Sequence, residues 1–343
     1  MLTVAIAALV LGACSSAGSQ QSKPKPPAST TTTTHKAVRL APLTGLPDPS
    51  GAALRRQSLG VKIENTPDAR PQTGLDQADI VYEEVVEGGI TRFWSFFNST
   101  IPEIVGPVRS VRSMDPNIIL PFGGVVAFSG GTPDNVALVR ATGLVTVDEN
   151  NAGAAYYREP SRAAPHNLYA HADELLAFGG EPVPPVRMFE YVAHGDVFSG
   201  EAVASFHVGL QQGYDVSYVW DSARKRWNRF SQGTEPFLAT GSTAPVQVAP
   251  TNVIVQLIPY GSGADGDVMG TGEALVFSNS QLVRGTWSKA FPGAPTQFTD
   301  AAGAPIAITP GRTWIELAPI GTVVDIVPGT PAAEPSTTTT TTR

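Results

Sequence analysis

Cysteine is almost absent: Cys14 is the one example in 343 residues, so the chain can form no internal disulfide and no multi-cysteine metal site. Charge is scarce as well. Only 15% of residues are charged, and 23 Lys and Arg face 30 Asp and Glu for a formal net charge of -7. With no basic excess and no basic run, nothing is available to neutralise a phosphate backbone, which argues against nucleic-acid binding. No stretch reaches the ~18 consecutive apolar residues of a membrane-spanning helix. Recognised nucleophile and metal patterns are missing too. There is no Gly-x-Ser-x-Gly elbow, His166 and His171 are not spaced as a helical zinc pair, and Asp265-Gly266-Asp267 is too short for a calcium loop. Neither a cofactor nor a metal is therefore expected. What is abundant is Gly (34) and Pro (30), a composition that favours a turn-rich, strand-containing fold over a helical bundle.

Cys14 is informative by position. An apolar run over 2–11 leads into Leu11-Gly12-Ala13-Cys14, followed by Ser15, Ser16, Ala17 and Gly18, the pattern of a short h-region and a small-residue cleavage site. It resembles a bacterial lipobox, in which the chain is cut before the Cys and the Cys takes a lipid. The first ten residues lack the Lys or Arg that opens a signal peptide, and a start upstream of Met1 would supply it. Residues 15–41 are Ser, Pro, Lys and Thr rich and lack the apolar groups that would offset their ordering entropy, so they read as a disordered tether. Residues 329–343 read as a disordered Thr-rich tail. The expected product is an extracytoplasmic protein, lipid-anchored to the cell membrane through Cys14.

Strand-like runs rich in Val, Ile and aromatics cover 59–64, 78–86, 90–98 and 124–128,. Helices are predicted over 110–120, over 133–141 behind a Thr132 N-cap with Pro133 at the first position, and over 168–178. Past about residue 185 the segments 202–210, 215–220, 252–258, 274–277, 297–299 and 313–317 are short and strand-like, divided by turn residues. The expected fold class is α+β, with an N-terminal mixed α/β domain at 42–190 and a mostly β C-terminal domain at 195–328.

Several phrases occur together and in order: Asp68-Ala69-Arg70-Pro71-Gln72-Thr73-Gly74, Ala78-Asp79-Ile80-Val81-Tyr82-Glu83, Glu87-Gly88-Gly89-Ile90-Thr91-Arg92, Gly106-Pro107-Val108-Arg109-Ser110-Val111-Arg112 and Pro165-His166-Asn167-Leu168-Tyr169. Later come Gly272-Glu273-Ala274-Leu275-Val276-Phe277, Gly285-Thr286-Trp287 and Pro310-Gly311-Arg312-Thr313-Trp314. Across about 42–328 the chain resembles the YerB-like lipoprotein family, DUF3048. The resemblance implies an N-terminal and a C-terminal domain and an envelope location. It brings no activity, cofactor or catalytic residue.

Read from chemistry, the first half concentrates Arg70, Arg92, Arg109 and Arg112, whose guanidinium forks suit carboxylate or phosphate. Alternation along a strand puts Glu83 and Glu87 on one face and Glu84 on the other. Such a set forms either a polar site or a structural ion-pair network. Arg109 and Arg112 at the start of a helix would oppose its dipole, a conflict that an anionic ligand or a carboxylate would resolve. Ser129-Gly130-Gly131-Thr132 reads as a strand-to-helix turn with weak anion-binding capacity. His166, between Pro165 and Asn167, is the histidine best placed for a ligand contact or proton transfer. Trp220, Trp227, Trp287 and Trp314 suit either a core or a sugar-stacking surface. The candidate ligand-binding residues are therefore Arg70, Glu83, Glu87, Arg92, Arg109, Arg112 and His166. The expected function is non-enzymatic binding of an anionic cell-envelope component or a wall-associated protein. Two alternatives stand beside it: a wall-directed hydrolase or transferase using Glu83 or Glu87 with His166, and a protein-binding scaffold acting through the β domain.

Overall fold

The computed structural model describes residues 38–211, 213–232, 235–240, 244–261 and 265–330. Cys14, the tether up to residue 37 and the tail from 331 lie outside the described residues. The strands used below are β1 (Leu59–Glu64), β2 (Ile80–Val85), β3 (Thr91–Phe97), β4 (Val125–Ala127), β5 (Val145–Val147), β6 (Glu201–Val208), β7 (Val216–Asp221), β8 (Arg226–Ser231), β9 (Asn252–Ile258), β10 (Gly270–Ser278), β11 (Gln281–Lys289) and β12 (Thr313–Pro319). They belong to one 15-stranded sheet, and from a short edge strand at Glu235–Pro236 its path runs β8-β7-β6-β11-β10-β9-β12-β2-β3-β1-β4-β5.

The junction of the two halves of the chain is β12. It pairs in parallel with β9 on one side and with β2 on the other, so two backbone ladders meeting on one strand link residues 80–84 to 252–258. The central strands are buried on both faces. Val61, Ile63, Val81, Phe93, Val253 and Trp314 share one cluster with Phe206, Tyr218 and Trp227 of the β6–β8 ribbon, and Phe206 stacks on Phe277 with ring centroids 3.6 Å apart. Ile80, Tyr82, Trp94, Phe96, Ile254 and Ile315 face the other way, against Ile118, Ile119, Phe122 and Val139.

Helices are few and short: α1 (Asp115–Ile119), α2 (Pro133–Arg140) and α3 (Ala172–Leu176). The fold is thus mostly β and sheet-rich, a coarser result than the mixed α/β first domain expected. α2 forms as predicted, with Thr132 Oγ1 accepting from the Asn135 N–H at 3.3 Å. The helix expected over 110–120 begins only at Asp115. Ahead of it the Val111 N–H donates to Gly130 O (3.0 Å) and the Arg112 N–H to Asp115 Oδ2 (2.7 Å), so these amides are bound elsewhere. The segment 168–178 divides into a strand, Leu168–His171, pairing with Tyr156–Arg158 and Ile104–Val105, and then α3. Trp227, Trp287 and Trp314 are buried and belong to the core, not to a stacking platform. Among the described residues no helix is long and apolar enough to cross a membrane.

Candidate functional site

Register sets the site. Cross-strand partners share a sheet face, and Glu84 of β2 pairs with Arg92 of β3, which pairs with Glu64 of β1. The three form a row, with Lys62 two residues before Glu64 on the same face. All four are buried: residues 107–109 pair along the edge of β1, the Arg109 N–H donating to Lys62 O (2.8 Å) and the Glu64 N–H to Pro107 O (3.0 Å), and beyond them Ser110 and Asp115 meet Arg92 and Lys62 over the row. Lys62 donates to Asp115 Oδ1 (2.8 Å) and also pairs with Glu84. Burial, with Asp115 adding to it and Lys62 opposing it, pushes the Glu84 carboxyl up to about 8.

Three of the four arginines meet on this face. Arg92, 5% exposed, donates from Nη1 to Ser110 O at 2.7 Å. Arg112 donates to the same carbonyl at 3.4 Å and to Val111 O at 2.8 Å, so two guanidinium groups share one oxygen. Burial, followed by the charges of Arg112 and Arg109, pulls Arg92 down to about 10. Its Nε has no hydrogen-bond partner among the described residues. Arg109 Nε lies 3.1 Å from Glu64 Oε1. The side chains of Arg109 and Arg112 keep 20% and 14% exposure, so the cluster opens to solvent.

His166 joins the same group through Glu64. Its Nδ1 is 2.8 Å from Glu64 Oε1 and 3.3 Å from Thr66 Oγ1, while Nε2 faces the exposed Asp68 carboxylate at 3.9 Å. Thr66 also donates to Glu64 Oε1 (2.8 Å), which leaves Oε2 buried without a partner. Asn167 lies in the turn before the strand at Leu168–His171, where the helix over 168–178 was expected to begin.

Glu83 and Glu87 do not share a face. β2 stops at Val85, and Glu87 sits in a 3-10 turn where Gly88 takes φ +74°. That turn carries Glu87 over to Arg112, whose Nε donates to Oε2 at 2.6 Å. Against the effect of partial burial, this bond and the charges of Arg112 and Arg92 hold the Glu87 carboxyl below its usual range. Glu83 points to the opposite face, where Arg229 of β8 donates to it at 2.6 Å, and Asn65 and Thr91 donate to its other oxygen. Arg70 also lies apart from the three arginines. It donates to Asn65 Oδ1 and O (3.2 and 3.1 Å), stacks over Tyr214 and Phe237, and lines a cavity of about 340 Å³ with Ser231 and Leu238.

Glu64, Lys62, Asp115, Arg229 and Glu316 were not singled out from the sequence. Their one signal was a charge placed inside an otherwise apolar strand or at a helix start. A turn at Ser129–Thr132 is present and leads into α2 as expected, bordering a cavity of about 610 Å³. No group of three or more metal-binding side chains occurs among the described residues.

Sheet, covering segment and arginine face together define a sheet-rich body with a polar site at the end of β1, and comparisons assign that body to a family. The chain belongs to the DUF3048 family of unknown function: its N-terminal domain matches at residues 43–181 and its C-terminal domain at 206–315. It is 28% identical over 294 residues to a Bacillus subtilis (strain 168) protein named "Putative lipoprotein YerB", covering 81% of this chain and 86% of that one. The crystal structure of YerB protein from Bacillus subtilis has the same fold, with a TM-score of 0.69 at 24% identity over 84% of this chain and 99% of that chain.

Proposed function

We propose that this protein is lipid-anchored on the extracytoplasmic side of the cell membrane through Cys14 and binds an anionic envelope component at Arg92, Arg109 and Arg112, with His166 beside them. The name of the Bacillus relative supports the location. The observation that carries the binding site is Arg92: a buried guanidinium with an unpartnered Nε, sharing its carbonyl acceptor with a second arginine. Its row neighbour Glu84 offers little compensating charge at neutral pH, because burial favours the protonated carboxyl,. An incoming anion would satisfy the free donor and offset the like charges. The test is a thermal-shift panel on the full chain with wall fragments, polyol phosphates and inorganic phosphate, beside an Arg109→Gln, Arg112→Gln variant. A ligand at ~100 times its dissociation constant adds ~2.7 kcal/mol of stability. The expected result is a shift in the parent that the variant lacks. A shift of equal size in both would refute the site. Loss of membrane association in Cys14→Ser tests the anchor.

One observation favours an enzymatic reading, though with a different carboxylate from those expected. Glu83 and Glu87 pair with Arg229 and Arg112, and the carboxylate partner of His166 is Glu64. A buried carboxylate on Nδ1 with Nε2 turned outward orients an imidazole for proton transfer. Turnover of the bound ligand that His166→Gln abolishes while binding persists would establish that reading.

A further inference from the structure

We infer that the Glu87 carboxylate is a resident anion of the arginine site, which a phosphoryl group of the ligand displaces from Arg112. This inference rests on the anion-binding reading above. Glu87 is more than half exposed, at 56%, and reaches Arg112 from the connection between β2 and β3. The turn that carries it has little packing. Gly88 and Gly89 both take positive φ, +74° and +71°, a methyl at Gly88 would meet nothing within 4 Å, and one at Gly89 would meet only Gln211. A residue on such a turn can swing outward at small cost, since no core contact is lost. Its carboxylate nevertheless occupies the exposed mouth of the cluster.

The charges at the site favour exchange over permanent closure. Lys62, Arg92, Arg109 and Arg112 contribute four positive charges, while Glu64, Asp115 and Glu87 contribute three negative ones when Glu84 holds its proton. Glu87 engages one nitrogen, Arg112 Nε, and leaves Arg92 Nε unpartnered. A carboxylate presents two oxygens in one plane, and this one is spent on a single arginine. A phosphodiester presents two free and two ester oxygens in a tetrahedron and not in one plane, and each free oxygen can accept more than one bond, so it can meet Arg112 together with Arg92 or Arg109. The favoured ligand is therefore a phosphate ester, carried either on a wall polyol-phosphate chain or on a lipid headgroup.

The experiment measures binding of inorganic phosphate and of a soluble oligo(glycerol phosphate) to the full chain by titration calorimetry. It measures binding to phosphatidylglycerol vesicles by co-sedimentation. Parent, Glu87→Gln, Arg112→Gln and the double variant are compared, with melting curves to confirm equal folding. Removing an exposed competing pair is expected to tighten phosphate binding about five-fold in Glu87→Gln, and the gain should vanish when Arg112→Gln is added. Glu87→Asp, one methylene shorter, should fall between parent and Gln. If the parent binds phosphate through Arg112 but Glu87→Gln binds no more tightly, the displacement idea fails and the anion site stands. If neither binds any probe, both fail. The soluble and vesicle arms separate wall polymer from lipid as the source of the phosphoryl group.

Discussion

Replacing Arg229 by Met should unfold the protein at a markedly lower temperature. Arg229 is fully buried on β8, its Nη2 is 2.6 Å from Glu83 Oε2, and its guanidinium lies 4.1 Å from the Phe237 ring and 4.8 Å from that of Trp314. Directly beside Glu83, across the β12–β2 pair, stands Glu316. Burial, then the charge of Glu83, pushes the Glu316 carboxyl well above the usual range, and Tyr218 donates to it at 2.6 Å. One guanidinium thus serves two buried carboxyl groups that arrive from opposite halves of the chain. Met fills similar volume but leaves Glu83 uncompensated, a loss of about 3–5 kcal/mol for a broken buried pair. At this chain length ~1 kcal/mol moves the melting temperature by roughly 2 °C, so the expected drop is roughly 6–10 °C. Circular dichroism at pH 7 would show it, and the shared sheet predicts a single transition. Glu83→Gln added to Arg229→Met should restore at least half of the loss, because the orphaned charge is then gone. A single variant melting within about 1 °C of the parent, or a double variant no better than the single, would refute the argument.

Two further outcomes follow from groups already described. Glu84 has its carboxyl raised from 4.5 to about 8, first by burial, so the folded state keeps a proton that the unfolded state releases. That contribution is complete below the unfolded value and is lost as pH rises through the folded one. Between about pH 5 and 8 the melting temperature of Glu84→Gln should therefore decline less steeply than that of the parent, and parallel profiles would contradict it. Gly124, which opens β4 at φ +69°, would place a methyl 2.2 Å from Ser58 O. Gly124→Ala should cost more than about 1 kcal/mol, measurable by urea unfolding, and an unchanged midpoint would show that the backbone there relaxes freely.

The strands were more legible than their partners. The stretches 59–64 and 252–258 form β1 and β9 at the expected limits, since runs of Val, Ile and Leu there leave no helical spacing. The strand-to-helix switch within 168–178 was hidden, because Leu168, Ala172 and Leu175 fit one helical face. Their actual setting is tertiary: Tyr169 and Ala170 pair with Tyr157 and Tyr156 before the helix begins. Position in the sheet was not legible at all. β12 lies more than 200 residues beyond β2, and no local pattern tells that Glu316 will stand beside Glu83.

The site divides along the same line. The arginines were legible as a concentration of guanidinium forks suited to an anion, but Glu64 read only as the last residue of a strand. In Leu-Gly-Val-Lys-Ile-Glu the alternation puts Lys62 and Glu64 on one face, which read alone would be a solvated face. Only the segment at 110–115 turns that face into an interior, and only the register makes Arg92 the neighbour of both Glu64 and Glu84. The choice between a structural network and a polar site then has different answers in different places. Lys62 with Glu84 and Asp115, and Arg229 with Glu83, are enclosed pairs whose removal costs stability,. Arg92, Arg109 and Arg112 differ because their cluster opens to solvent, and an exposed carboxylate on a loosely packed turn supplies the outer counter-charge. A network evolved only for stability would be expected to fill that last position from the interior, where desolvation strengthens a charge-assisted bond. Leaving it to Glu87 keeps the position open to exchange.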